Sequence, residues 1–245
     1  MKNIAVIPAR FAASRFPGKL MQKIGEKTII RMVYENALAM HLFDEVLVVT
    51  DSDDIMNEIL SVGGSVIKST KDHQSGSDRI AEAIASMDVG VVVNIQGDEP
   101  FIEKEPLRDL LMCFEDPSVA VASIMKRFGE GDEPENPNQV KVVCNKNNDA
   151  LYFSRSPIPF KRNRSADLPY FKHVGVYAYR KEALLSFTQW PMGSLEQAEM
   201  LEQLRYLENG VAIRMVETKT NSIGIDTPED LERARIEYKA SLKGF

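Results

Sequence analysis

The stretch V-V-V-N-I-Q-G-D-E-P, residues 91–100, decides how the chain is read. Its first half is short, apolar and β-branched, the pattern of a strand buried on both faces in a parallel sheet. The pattern predicts a strand over residues 91–96, after which Gly97 to Pro100 supply turn chemistry. Asp98 then stands at the carboxyl end of a buried strand, where a carboxylate is costly unless something pairs with it. In open α/β sheets ligands bind at those carboxyl ends. Asp98 is therefore a candidate metal ligand, against the plainer reading of a turn aspartate.

Similar segments recur on both sides of this one. Strands are expected over residues 4–8, 45–50, 65–68 and 119–125, and helices over 27–40, 53–62, 77–87 and 104–114. Ser52 is placed as the N-cap of the second helix, with Gly63 and Gly64 as its stop. Strands alternating with helices at this rhythm mean βαβ units on a mostly parallel, Rossmann-like sheet flanked by helices, an α/β fold. The rhythm breaks over residues 136–180, where strands over 139–145, 150–154 and 174–179 follow one another without a helix. A proline- and charge-rich stretch, 156–170, reads as a long loop. The region is taken as an antiparallel insertion, a lid or a subunit contact, within a single domain of residues 1–245. Helices return over 194–209 and 228–242.

Bulk properties narrow the partners. Of 245 residues, 44% are hydrophobic and 27% charged, as in ordinary soluble domains, and the net charge is −6. That balance disfavours nucleic acid and anionic membranes, so a basic cluster must act locally. Two widely spaced cysteines, Cys113 and Cys144, form no disulfide framework or metal knuckle. No apolar run reaches the ~18 residues of a membrane span. A reducing cytosol, hence a cytoplasmic protein, is the simplest compartment.

The basic cluster lies directly after the first strand. The loop I-P-A-R-F-A-A-S-R-F-P-G-K carries Ala9, Arg10, Arg15, Pro17, Gly18 and Lys19. Small residues admit a close anion, and arginine adds bidentate geometry. The loop matches neither G-x-x-x-x-G-K-[ST] nor G-x-G-x-x-G. A triphosphate would offset the mutual repulsion of its three cations, whereas the bland alternative is a solvated basic loop. A second basic element, H-Q-S-G-S-D-R, opens the helix at 77 with Ser75 or Ser77 as cap. Its free N–H groups and Arg79 suit an anion, although an ordinary capped start accounts for it equally well. In G-I-D-T-P-E-D-L, Thr227 as N-cap and Pro228 at N1 explain a helix start, and Asp226 is left over. Paired with Asp98 it would complete a site for Mg²⁺, which takes one or two carboxylates plus phosphate oxygens and water.

Taken in order, these motifs resemble the 3-deoxy-manno-octulosonate cytidylyltransferases, also called CMP-Kdo synthetases. V-V-T-D, N-P-N-Q-V-K-V-V, A-L-Y-F-S-R-S-P-I-P, K-H-V-G-V-Y-A-Y-R and L-E-Q-A-E-M-L-E-Q-L-R extend the match over nearly the whole chain. The resemblance implies the nucleotide-diphospho-sugar transferase fold, a homodimer, and transfer of CMP from CTP to Kdo for lipopolysaccharide synthesis with Mg²⁺. It places Ala9, Arg10, Arg15, Lys19, Ser75, Gly76 and Arg79 on the nucleotide. Asp98 and Asp226 fall on the metal, and with Lys19 form the catalytic set. The sugar acid falls to Gln96, Arg155, His173, Tyr177, Glu202 and Gln203. His173 and Tyr177, four apart in one strand, share a face. On a helix over 194–209, Glu199, Glu202, Gln203 and Tyr206 would share one side, and Ala198, Leu201, Leu204 and Leu207 the other.

The chain departs from the family pattern at Leu20-Met21 and at Phe160, which leaves room for a modified acid such as 8-amino-Kdo. A CMP-sialate synthetase and a non-catalytic nucleotide-sugar sensor are the competing readings.

Overall fold

The computed structural model describes residues 2–11, 16–71, 73, 75–129, 132–163, 168–220 and 224–241. In chain order the elements are β1 (Asn3–Ala9), β2 (Lys23–Ile24), β3 (Lys27–Thr28), α1 (Ile29–Ala39), β4 (Glu45–Thr50), α2 (Asp53–Ser61), β5 (Ser65–Lys68), α3 (Gly76–Ile84), β6 (Val91–Asn94) and α4 (Lys104–Met112). There follow β7 (Val121–Arg127), β8 (Lys141–Cys144), β9 (Ala150–Ser154), β10 (Phe171–Arg180), α5 (Lys181–Phe187), α6 (Ser194–Glu199), α7 (Leu204–Glu208), β11 (Ile213–Thr218) and α8 (Pro228–Ser241). The chain divides into two compact units, residues 1–104 with 221–245, and residues 105–220. The fold is α/β, with mostly parallel strands flanked by helices and an antiparallel group of strands.

In the first unit the strands run β6-β1-β4-β5, every pair parallel. Ile4 aligns with Glu45 on one side of β1 and with Val92 on the other. Ile4 to Ile7, Val48, Val49, Val92 and Val93 are fully buried, which explains why these strands read as continuous apolar runs. Helix α1 packs through Ile29, Ile30, Val33, Tyr34 and Ala37. Burying each large aliphatic side chain contributes roughly 1.5–3 kcal/mol. Thr28 caps α1 by accepting from Arg31 N–H at 3.3 Å, and Ser52 caps α2.

In the second unit β11 lies parallel to β7, and β10 lies antiparallel to β7 on its other side. β8 pairs antiparallel with both β10 and β9. Pairing of β10 with β7 slips between Val174 and Tyr177, a bulge at Gly175-Val176.

Two expectations need correction. The helix expected over 194–209 is two helices: Met200 adopts φ 52° and ends α6, and α7 starts only at Leu204. The strand expected over 91–96 ends at Asn94, so Gln96 lies in the following turn, where its carbonyl accepts from Glu99 N–H. α5 and β11 were not foreseen.

Candidate active site

In the first unit, Gly18 at φ 67° turns the chain into a short 3₁₀ segment, Lys19–Met21, anchored by buried Leu20. A positive φ of this size is what favours glycine there. Gly18 N–H also bonds Phe11 O at 3.0 Å, which closes the neck of the basic loop. Lys19 Nζ consequently reaches Asp98 Oδ2 at 2.5 Å and Asp226 Oδ1 at 2.9 Å. A backbone bond from Ile225 N–H to Asp98 O, 3.0 Å, ties the two acidic loops together. Thr227 and Asp230 cap α8 reciprocally, fixing the turn that carries Asp226. Burial disfavours the Lys19 ammonium, but the charge of Asp98, and hydrogen bonds to both aspartates, hold it above the ordinary lysine range.

The helix that opens the second basic element starts at Gly76, with Ser75 as its cap. Ser75 Oγ accepts from Asp78 N–H at 3.2 Å and donates to Asp78 Oδ2 at 2.9 Å. Arg79 is 1% exposed. Its Nη2 donates to Asp51 Oδ2 at 2.6 Å, while Nε and Nη1 have no partner among the described residues. A buried guanidinium with two unpartnered nitrogens is uncommon, because each unmet N–H costs desolvation energy. The preceding connection is pinned by Glu82, which accepts from Ser69, Thr70 and His73. These bonds, the one from His73 foremost, bring the Glu82 carboxyl down to about 2. Arg10 is exposed beyond β1, whereas Ala9 is buried and offers only its main chain. Arg15 lies outside the described residues.

In the second unit, His173 and Tyr177 do share a face, with ring centroids 5.2 Å apart. Ser123 Oγ donates to Val176 O at 2.9 Å and shares a hydrogen bond with His173 Nε2 at 2.9 Å. Burial lowers the His173 pKa to about 3, which keeps the ring neutral. Arg155, half-buried, directs Nε to Glu199 O at 2.7 Å, Nη1 to Pro137 O at 3.1 Å and Nη2 to Met200 O at 3.2 Å. These bonds take three of the five N–H donors of a guanidinium. Glu202 is exposed and Gln203 buried, both in the break between α6 and α7. The expected helix faces do not hold, because Tyr206 and Leu204 are both buried while Ala198 is exposed.

A family model described as cytidylyltransferase matches residues 4–216. A relative from Flavobacterium johnsoniae called 3-deoxy-manno-octulosonate cytidylyltransferase is 58% identical over 96% of this chain and 98% of its own length. The chain belongs to the 3-deoxy-manno-octulosonate cytidylyltransferase family. A relative of the same name from Christiangramia forsetii is 54% identical over 95% of both chains. Among solved structures, a CMP:2-keto-3-deoxy-manno-octonic acid synthetase complexed with CTP superposes with a TM-score of 0.93 at 41% identity, covering 98% of this chain and all of that one. A 4-diphosphocytidyl-2C-methyl-D-erythritol synthase from Anaerococcus prevotii shares the fold alone, with a TM-score of 0.64 at 16% identity over 97% of this chain and 99% of that one.

Within this cytidylyltransferase the expected site residues divide between the units. Lys19, Asp98 and Asp226 form one cluster of the first unit, which also carries Arg10, Gln96, Ser75, Gly76 and Arg79. The second unit carries Arg155, His173, Tyr177, Glu202 and Gln203. Asp51, Ser123 and Lys141, which bond Arg79, His173 and the Arg155 carbonyl, were not singled out from the sequence. Asp51 had a signal, since V-V-T-D ends a buried strand in an acid as V-V-V-N-I-Q-G-D does. Lys141 had one too, a lysine inside the apolar run V-K-V-V.

Proposed function

We propose that this cytidylyltransferase transfers CMP from CTP to the anomeric hydroxyl of Kdo, releasing pyrophosphate. The observation that carries this reading is the Lys19–Asp98–Asp226 cluster, built from the loops that follow parallel strands β1 and β6 and from the turn before α8. The anomeric oxygen attacks the α-phosphorus of CTP, and the bond to the pyrophosphate oxygen breaks. Such chemistry rests on positioning and on neutralising phosphate charge.

Asp98 and Asp226 suit magnesium. Both offer hard oxygen donors, and no group of three or more His, Cys, Asp or Glu among the described residues is placed to hold a metal. Two carboxylates completed by phosphate oxygens and water are the donor set magnesium commonly takes. Bound there, the ion would supply Lewis-acid neutralisation of the phosphate oxygens. Lys19 and Arg10 bring further positive charge to the triphosphate, with Arg15 of the same loop. Ser75, Gly76 and Arg79 take the remainder of the nucleotide. Arg155 holds the sugar carboxylate. Gln96, His173, Tyr177, Glu202 and Gln203 orient the sugar.

We assign the antiparallel region 136–180 to a homodimer contact or lid. Exposed Leu151, Phe160 and Leu168 within it, 61%, 86% and 49% accessible, support a contact. Light scattering of the purified chain tests it. Among the described residues no helix is long and apolar enough to cross a membrane.

The deciding experiment measures pyrophosphate release with Mg²⁺ and Kdo against CTP, UTP, ATP and GTP, with 8-amino-Kdo and sialic acid as alternative acceptors. Release with CTP and Kdo alone is the expected result. Release with another acid moves the substrate, and binding without release makes the chain a sensor.

A further inference from the structure

Lys141 is wholly buried, yet among the described residues no carboxylate bonds it. Its ammonium donates to two main-chain carbonyls, Asn136 O at 3.0 Å and Arg155 O. Taking a lysine out of water for the sake of two carbonyls is costly, and burial does lower its pKa against the opposing pull of Glu199. A methionine of nearly the same shape would fill the space without that cost. The charge must serve something besides packing.

The two carbonyls belong to segments that the rest of the network also grips. Asn136 opens a turn in which Asn138 N–H bonds its side-chain oxygen at 2.9 Å and Gln139 N–H its carbonyl at 3.1 Å. The motif N-P-N-Q-V-K thus builds a turn and, from β8, sends a lysine back to hold it. Arg155 returns the link through Nη1 to Pro137 O at 3.1 Å. Ser154 Oγ and Arg155 N–H both donate to the Glu199 carboxylate, at 2.6 and 2.9 Å. Nε and Nη2 of Arg155 reach the carbonyls of Glu199 and Met200. Three segments meet in one hub: the 136–137 turn, the end of β9 and the end of α6. The short break that carries Glu202 and Gln203 begins at that last point.

We infer that Lys141 is a positioning residue for the sugar acid. By fixing the Arg155 carbonyl and the 136–137 turn together, it sets where the Arg155 guanidinium sits and where the chain leaves α6 toward Glu202 and Gln203. Lys141 itself touches no substrate. The inference rests on the proposed assignment of Arg155, Glu202 and Gln203 to Kdo.

The test compares Lys141→Met, which removes every donor, with Lys141→Gln, whose amide keeps two N–H groups for the two carbonyls. KM for Kdo and for CTP are measured separately, with thermal unfolding alongside. Lys141→Met should raise KM for Kdo by about tenfold or more, the consequence of leaving the Arg155 carbonyl without its donor and of releasing the Asn136 carbonyl to Gln139 N–H alone. KM for CTP should stay within about twofold, since CTP is assigned to the other unit. Lys141→Gln, one bond shorter and uncharged, should recover only part of the loss and leave KM for Kdo about threefold above wild type. An unchanged KM for Kdo, or equal rises for both substrates, overturns the inference. If the methionine variant does not fold, the glutamine variant decides by the same split: a rise for Kdo alone supports the inference, and no rise or a parallel rise overturns it. Failure of the wild type to turn over Kdo would instead remove the underlying assignment.

Discussion

Lys19 holds its ammonium 2.5 Å from Asp98 Oδ2, across 79 positions of sequence. A single cation from the first loop thereby neutralises an acid at the end of a different strand, and it reaches Asp226 as well. The arrangement makes one charge balance out of three motifs that are far apart in the chain.

Replacing Asp98 by Asn keeps the shape and one acceptor but removes the charge. Turnover should fall on the order of a hundredfold or more, the scale of several kcal/mol of lost charge stabilisation. Thermal unfolding should change little, because Asp98 is partly exposed. Steady-state pyrophosphate release at saturating Mg²⁺ checks this, and turnover near wild type would remove Asp98 from the mechanism.

His173 predicts a pH dependence of stability. Its pKa is about 3 folded, against 6.5 ordinarily. The unfolded chain therefore takes up the proton first as pH falls. The stability tied to neutral His173 is complete above about pH 6.5 and is lost progressively toward the folded pKa, with a slope of at most ~1.4 kcal/mol per pH unit. Urea unfolding at pH 7 and pH 5 should show this slope in the wild type and a flatter one in His173→Gln. Identical pH profiles would contradict the neutral, Ser123-bonded imidazole.

Where sequence and structure part, the reason is long-range bonding. Residues 45–50 were read with the bounds the structure shows, because Val46 to Thr50 are all buried. The 194–209 segment was read as one helix, since Ala198, Leu201, Leu204 and Leu207 keep helical spacing and Met200 is a good helix former. In a continuous helix the carbonyls of Glu199 and Met200 would accept from residues 203 and 204. Arg155 takes both carbonyls instead, and Leu204 N–H turns to Leu201 O. An arginine 44 residues upstream is invisible to local periodicity. The Lys19–Asp98–Asp226 cluster was legible for the opposite reason, since Lys19 and Asp98 lie in the loops that follow two buried strands and Asp226 stands just before a helix. The two orphaned nitrogens of Arg79 were not, because they depend on how completely α3 buries that side chain.

Gly63 and Gly64 end α2 for different reasons, and their alanine variants should differ. A Cβ on Gly64 would stand 2.6 Å from Ile59 Cγ2, 2.8 Å from Tyr34 Cε1 and 2.9 Å from Ile59 O. The last contact is backbone and cannot swing away, so Gly64→Ala should destabilise by roughly 2 kcal/mol or more. Gly63 has open space but φ 71°, so Gly63→Ala should cost only about 1 kcal/mol, and Gly63→Asn less. Chemical denaturation of the three variants would show the order, and a Gly64→Ala no weaker than Gly63→Ala would refute the steric account.

Glu196 and Arg205 stitch α6 to α7 across the break. Glu196 has a side chain 2% exposed and receives Arg205 Nε and Nη2 at 2.6 Å each, a bidentate pair. The guanidinium also lies 4.1 Å over the Phe187 ring. Glu196→Ala leaves that buried cation without its carboxylate, so it should destabilise by about 3 kcal/mol. The double change Glu196→Met with Arg205→Met removes both charges and replaces them with apolar volume, so its loss should be much smaller than that of Glu196→Ala. Turnover per folded molecule should survive in the double variant, because neither residue touches a substrate in the proposed assignment. Denaturant unfolding measures the first effect, and kcat on the folded fraction measures the second. A double variant as unstable as the single one would mean that the pair itself, rather than relief of an unpaired charge, holds the two helices together.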